Sequence, residues 1–406
     1  MKIPRRQFIA TSATSALALT VSVSRATTAV NSKTEVEKRF DPWIEVNQGA
    51  LNENVDTLSR LAGNRSVFAV VKNNSYGLGL ETAPSLIENH PKVEGFGVVK
   101  SDECYKLIKA GIKKPVMLLA LPDNDTVEFD LIRQGIQLCV FTPDIQSRLE
   151  SISKKLQRKI KVHAYVDTGM NRVGMPYFKA KEWLAGLAGS PSTEVVSTFT
   201  DLSEDSDFDR EQVSRLNAVA GTVRKAGLSV GKLHAASSNG IYHVPQTHLD
   251  IVRPGISLFG AYPTFDDQEK SIALLTTAFR LRARVVRVEQ LRTGDSVSYG
   301  RKFIASEPTW IATLPVGHTD GYPRGAVLGG RILIGQETYP VIGAVSASHC
   351  IVNIGPERKV NPGDVATLIG PDNPVIQPNH LANVSGSSVY DILMHLNPNL
   401  PKFIVQ

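Results

Sequence analysis

Cysteine is scarce in this chain: Cys104, Cys139 and Cys350 are the only three in 406 residues. None belongs to a CxxC pair or a zinc-ligand spacing, so no metal site is expected. An odd number leaves at least one thiol free. All three read as buried and unpaired, although an oxidising compartment permits a disulfide. Excess charge is lacking as well. The formal net charge is +6, but Lys2, Arg5, Arg6 and Arg25 supply four of those charges with no acid among them, which leaves about +2 for the rest. Nucleic-acid binding calls for clustered positive charge, so that class is set aside. The longest basic cluster, Lys154 to Lys161, spans a helix end and reads as a solvated face. Internal repeats and low-complexity linkers are missing too. A chain of this length exceeds one small core, and two domains with a packed interface are expected.

The first 26 residues stand apart from that fold. Arg5-Arg6 is followed by Phe8, an apolar and small-residue stretch to Val23, then Ser24-Arg25-Ala26. This is the pattern of a secretory signal of the twin-arginine kind, cut after Ala26 or Ala29. Its apolar region is too short and too rich in Ser, Thr and Ala to span a bilayer. The expected location is therefore the periplasm, with no membrane contact after signal removal. Twin-arginine export carries folded proteins, which suits an enzyme that takes up a cofactor before leaving the cytoplasm.

Eight short apolar runs follow: Val67–Val71, Gly95–Val99, Val116–Ala120, Ile136–Val140, Ile160–Val166, Val195–Phe199, Lys232–Ala235 and Ile256–Phe259. Amphipathic helices fit between most of them, at Ser101–Ala110, Asp144–Leu156, Lys179–Leu187 and Asp209–Ala226. Repeated strand-then-helix units predict a (β/α)8 barrel of the TIM type over 44–268, with chemistry at the C-terminal ends of its strands. The connection between Ala235 and Ile256 has little room for a full helix. From 269 to 406 apolar runs are separated by Gly and Pro turns, with no helix before Ser388–His395, which predicts a β-rich second domain. Trp43-Ile44-Glu45-Val46, ahead of the barrel, is a candidate to pair with it.

Lys72 is the most informative residue. It ends the unalternating run Ser66-Val67-Phe68-Ala69-Val70-Val71 and opens the polar turn Asn73-Asn74-Ser75-Tyr76-Gly77-Leu78-Gly79. Such a run reads as a strand buried on both faces. An ammonium at its end is costly to desolvate, so its pKa should fall unless the amine is held covalently, as in a Schiff base with an aldehyde cofactor. A lone lysine at a strand end is explained as well by snorkelling. The stretch Ala69 to Gly79, however, resembles the pyridoxal-phosphate lysine motif of alanine racemases, Ala-Val-Val-Lys-Ala-Asn-Ala-Tyr-Gly-His-Gly.

Further segments extend this resemblance over nearly the whole chain after the signal. Arg253-Pro254-Gly255-Ile256-Ser257-Leu258-Phe259-Gly260 is similar to the family segment whose arginine faces the pyridine nitrogen of the cofactor. A guanidinium stays protonated, so it donates to that nitrogen and weakens the ring as an electron sink, which favours proton exchange over decarboxylation or transamination. Val297-Ser298-Tyr299-Gly300-Arg301 resembles the segment carrying the second catalytic base. The resemblance implies Lys72 and Tyr299 as opposed bases, with Tyr299 completing the site of a partner in a homodimer. A phenol is a poor base near neutrality, so cations must assist it. For the phosphate it implies Tyr76, Ser238, the amides of Gly255 and Ile256, and Tyr390. For the substrate it implies Arg172, a carboxylate clamp, and Ala347.

Departures from the family pattern accompany these matches. Tyr165 stands where a lysine, often carbamylated, braces the arginine equivalent to Arg172, so that brace is expected to be missing. Thr198 stands where a histidine packs on the cofactor ring, and His318 replaces a tyrosine near the substrate. Ala347-Ser348 replaces Met-Asp and predicts a roomier pocket. The expected function is racemisation of amino acids with pyridoxal phosphate. A weak cofactor-binding paralogue and a fold-related decarboxylase are the alternatives.

Overall fold

The computed structural model describes residues 39–406 apart from 123, 271 and 272, so the signal over 1–26 lies outside the described residues. Among the described residues, eight parallel strands close into a barrel. They are Ser66–Val70, Val93–Val98, Val116–Leu118, Gln137–Val140, Ile160–Asp167, Thr193–Phe199, Lys232–His234 and Ile251–Val252. The last pairs with the first, Ile251 opposite Ser66, which closes the ring. Helices Ser101–Ala110, Ile145–Leu156, Ala180–Gly189 and Ser206–Lys225 lie where the apolar periodicity places them, within a few residues. Cys104 and Leu107 on the first of these are buried, as a helix stripe facing a sheet requires.

The eighth strand differs from expectation. Ile256–Phe259 is a 3-10 turn, and the strand is Ile251–Val252. Pro254 has no N–H to give a ladder, and its carbonyl accepts from Val70 N at 2.9 Å. Beyond it Leu258 N turns back to Gly255 O at 3.0 Å. All four residues of the turn are buried, so hydrophobicity alone cannot separate it from a strand. The short connection after the seventh strand holds the helix Ser238–His243 and a 3-10 turn Pro245–Thr247.

The second sheet is almost wholly antiparallel and includes Trp43–Asn47, which pairs with Phe279–Arg284 on one side and Lys402–Val405 on the other. Residues 44–47 therefore go with this sheet rather than with the barrel. A helix at Pro378–Ser385 precedes Val389–Met394, so helix begins earlier than expected. These two helices dock the second domain onto the barrel. Asn379 exchanges hydrogen bonds with the backbone of Tyr262, at 2.9 Å each way. The carbonyl of Leu393 sits so close to Gly77 that a Cβ there would approach it to 2.3 Å. All three cysteines are buried and free. No described helix is long and apolar enough to cross a membrane.

The helix Gln48–Leu61, not anticipated from the sequence, contributes Asn54 to this junction. Its amide donates to Leu258 O at 3.1 Å and Thr276 O at 2.8 Å, and its carbonyl accepts from Thr276 N at 2.9 Å. Asn54→Ala leaves the buried Leu258 carbonyl and two part-buried groups of Thr276 without this partner, and thermal melting should show a loss of about 2 kcal/mol.

Candidate active site

The residues singled out from the barrel segments gather at the C-terminal rim. Lys72 follows the first strand, Arg172 the loop after Ile160–Asp167, Ser238 the seventh strand and Arg253 the eighth. Lys72 opens a turn in which Asn73, Asn74, Ser75 and Tyr76 all have positive φ, between 50° and 58°. Four consecutive left-handed residues without glycine are costly, at about 1–2 kcal/mol each, though asparagine tolerates this region better than most. Buried Glu103 holds the turn, accepting from the amide of Asn74 at 3.3 Å and those of Val99 and Lys100 at 3.1 and 3.2 Å. Asn74 Oδ1 accepts from Leu80 N at 3.3 Å. Burial lowers the pKa of Lys72, Asp201 pushes it back, Arg172 adds to the depression and Glu103 opposes it.

Tyr76 is buried by the turn, its ring 5.3 Å from Phe259 and 6.5 Å from Tyr390. Its hydroxyl lies against Gly255, where a Cβ would come within 2.1 Å of the oxygen. Only glycine admits the phenol there. Ser238 Oγ accepts from Gly255 N at 3.1 Å and Ser257 N at 3.4 Å, so the Gly255 amide is turned to this hydroxyl. Burial pushes the phenol of Tyr76 up, and that of Tyr390 to about 12 with help from Glu204, so both remain neutral donors. Tyr76, Ser238, Gly255 and Tyr390 thus form one cradle of neutral groups beside Lys72, and buried Ile256 follows Gly255 in the chain.

Arg253 is 5% exposed. Its guanidinium reaches Thr200 O at 2.9 Å, Asp201 Oδ1 at 2.7 Å, Ala235 O at 3.3 Å and His234 Nδ1 at 2.6 Å, over the Phe199 ring at 4.8 Å. No described group accepts its Nε–H, which remains for a ligand. A guanidinium only donates, so His234 Nδ1 is an acceptor and its proton lies on Nε2. That proton goes to Ser197 Oγ at 2.7 Å, whose own hydrogen goes to His163 Nδ1 at 2.6 Å. His163 Nε2–H then donates to Gln137 Oε1 at 2.9 Å. The chain of hydrogen bonds runs in a single sense. His234, His163, Ser197 and Gln137 were not anticipated from the sequence. The alternation His163, Tyr165 and Ser197, Phe199 on paired strands is the signal that points to them.

Two expectations about departures are corrected here. Tyr165 does not leave Arg172 unbraced: Asp201 Oδ2 accepts from Arg172 at 2.6 Å and from the Tyr165 hydroxyl at 2.8 Å. Burial pushes the Asp201 carboxyl up, but Arg253, Tyr165 and Arg172 outweigh it and hold the group below the usual range. Thr198 does not face the site. It is fully buried and donates to Val230 O at 2.8 Å. The inward aromatic is Phe199, stacked on Tyr165 at 4.5 Å and on His234 at 4.9 Å.

Tyr299 and Ala347 are not brought to Lys72 within one chain. Tyr299 is 77% exposed at the tip of the hairpin Ser296–Val297 and Phe303–Ile304, flanked by Ser298 and Arg301 at φ 60° and 49°. Ser298 Oγ donates to Ala344 O at 3.2 Å, which ties the hairpin to the loop leading to Ala347. Ala347 O accepts from Thr319 N at 3.1 Å and from its hydroxyl at 2.7 Å. His318 accepts from Arg324 at 2.9 Å. Among the described residues no group of three or more His, Cys, Asp or Glu is arranged to hold a metal ion.

The barrel matches the alanine racemase N-terminal domain over residues 46–263, and the second domain matches the alanine racemase C-terminal domain over 278–404. An alanine racemase from Carboxydothermus hydrogenoformans is 31% identical over 369 residues, covering 89% of this chain and 99% of that one. The solved alanine racemases of Clostridium difficile 630 and Streptomyces lavendulae superpose with TM-scores of 0.80 and 0.82 at 24% and 22% identity. Each covers 90% of this chain and at least 95% of the other, a likeness that establishes the fold. A closed parallel barrel with a lysine at its rim, joined to a β-rich domain, defines the class. The chain belongs to the alanine racemase family.

Burial pushes both imidazoles toward neutrality, His163 to about 3 and His234 well below the usual value, with Arg253 adding to each. Their ring 15N shifts should not move between pH 5 and pH 8. Unfolded histidines take protons from about pH 6.5 downward while these do not, so their contribution to stability is full above that pH and falls toward pH 3.

Proposed function

We propose that this chain interconverts L- and D-amino acids, with pyridoxal phosphate at Lys72 and with Lys72 and the Tyr299 of a second copy serving opposite faces of the α-carbon. The observation that carries this is a half-buried lysine with a lowered pKa, set between a neutral hydroxyl cradle and a guanidinium with an unused Nε–H. The donor set fits the cofactor. Tyr76, Ser238, Tyr390 and the backbone at Gly255 and Ile256 suit its phosphate, and Arg253 suits its ring nitrogen. When bound, pyridoxal phosphate supplies an aldehyde that captures the amino group and a ring that takes up the electron pair left by the α-proton.

The remaining work falls to the protein. Arg172 orients the substrate through its carboxylate. Lys72, its basicity reduced by burial, takes or returns a proton near neutrality more readily than a solvated lysine. Exposure of Tyr299 on a strained hairpin supports a homodimer in which each subunit completes the other's site. A decarboxylase fits less well, because that chemistry pairs the ring nitrogen with a carboxylate that keeps it protonated, whereas Arg253 stands in that position and Asp201 is engaged by the two arginines. The twin-arginine pattern supports export to the periplasm.

Borohydride treatment of the yellow holoprotein should fix the cofactor on the peptide containing Lys72. Tyr299→Phe should keep the visible absorbance and lower racemisation by about 10²-fold or more, with α-proton exchange lost mainly from one enantiomer. Equal, mild effects from both enantiomers argue against Tyr299 as the second base.

Ala347 and Ser348 are small and exposed. Neither Arg172 nor Lys72 reads a side chain, so this edge supports turnover of several amino acids, long and polar ones included. A chiral assay of the common L-amino acids should show activity beyond alanine, and Ala347→Met should narrow it. Activity on alanine alone, unchanged by Ala347→Met, refutes the roomy pocket.

A further inference from the structure

Asp201 lies in the loop two residues beyond the sixth barrel strand, Thr193–Phe199, and sequence patterns gave it no role. It is the one described residue that joins both site arginines. Oδ1 accepts from Arg253 at 2.7 Å, while Oδ2 accepts from Arg172 at 2.6 Å and from Tyr165 at 2.8 Å. Arg172 has one other described partner, the Tyr165 hydroxyl on the same carboxylate, and its side chain is 57% exposed. An exposed ion pair of this kind ordinarily orders little, since its partner is as mobile as the arginine. Here the partner is fixed from two other directions. The Arg253 side chain is 4% exposed and rests on Phe199 at 4.8 Å, and Tyr165 is stacked on the same ring at 4.5 Å.

We propose that Asp201 is the positioning residue of this site, holding the guanidinium that grips the substrate carboxylate in fixed relation to the guanidinium that faces the ring nitrogen. The assignment rests on the racemase reading given above. Arg172 gives one N–H to Asp201 and touches the Tyr165 hydroxyl, and a five-donor guanidinium so engaged on one side still has donors for a carboxylate. The ordering of a long, exposed side chain is thus complete before substrate arrives, which lowers the entropy lost on binding. Asp201 also acts on Lys72 electrostatically. Lys72 is faced by Asp201 from this loop, by Arg172 from the loop after Ile160–Asp167, and by Glu103 from the helix Ser101–Ala110. Asp201 and Glu103 favour the charged amine, and Arg172 opposes it.

The test uses the full chain loaded with pyridoxal phosphate, comparing wild type with Asp201→Asn and Asp201→Glu. Asp201→Asn should keep the cofactor absorbance, but the pH midpoint of that absorbance should move down by about half a pH unit or more, because a favourable negative charge is gone. KM for the amino acid should rise about tenfold, with kcat falling less, because Arg172 loses its charged anchor. Asp201→Glu should restore the midpoint. An unchanged midpoint together with an unchanged KM in Asp201→Asn overturns the proposal. A wild-type protein that takes up no cofactor overturns the racemase reading instead. If Asp201→Asn does not fold, Tyr165→Phe decides: it removes the hydroxyl that holds Oδ2 and Arg172 and keeps every charge, so KM should rise about threefold with the midpoint unmoved. An unmoved KM in that variant overturns the proposal.

Discussion

A permanently charged guanidinium inside a barrel is the constraint on which the rest of the site depends. Arg253 cannot shed its proton, and a charge so buried costs several kcal/mol unless it is paired and hydrogen-bonded. The fold meets this with two backbone carbonyls, Thr200 and Ala235, at the ends of neighbouring strands. It adds one carboxylate, Asp201, and one imidazole, His234. Each of these then constrains its own neighbours. Asp201 gathers Arg172 and Tyr165, while His234 fixes Ser197, His163 and Gln137. Phe199, between Tyr165, His234 and Arg253, supplies the flat surface against which these polar groups are aligned.

The left-handed turn after Lys72 is the second strained element, and it is held by packing from both domains. Glu103 fixes it from the barrel, and Met394, 3.5 Å from the Asn73 amide, comes from the second domain. The helices after residue 377 thus do more than close the fold. They bring Tyr390 to Tyr76 and press the Lys72 turn against the rim, so domain docking and site geometry are one event.

Apolar runs and helical stripes made the barrel legible, because a parallel strand covered on both faces has a distinctive texture. Lys72, Arg253, Tyr76, Ser238 and Tyr390 were legible through motif resemblance, and the fold brings them to one rim. What sequence could not supply was parity and register. The ladder shifts between Val162 and His163, after which Ser197 faces His163, Thr198 faces Ala164 and Phe199 faces Tyr165. That places Phe199 inward and Thr198 outward; the alternation along each strand hints at the pairing, but which parity faces the interior is set by the register. Asp201 escaped notice for a related reason: it lies past the strand, in a loop, where its partners are chosen by the fold. The 3-10 turn at Ile256–Phe259 passed for a strand because burial, not backbone shape, writes the apolar letters.

The single sense of the Arg253-to-Gln137 chain has a consequence beyond holding rings in place. In ice, each row of hydrogen bonds can run either way, and the choice leaves residual disorder. A serine between two imidazoles has the same freedom, since either ring can donate to it and its hydrogen can turn to the other. At one end Arg253 can only give, and at the other the Gln137 carbonyl can only take. The two boundary conditions agree, so one proton arrangement survives, and the dipoles of four side chains add along the barrel interior instead of averaging out.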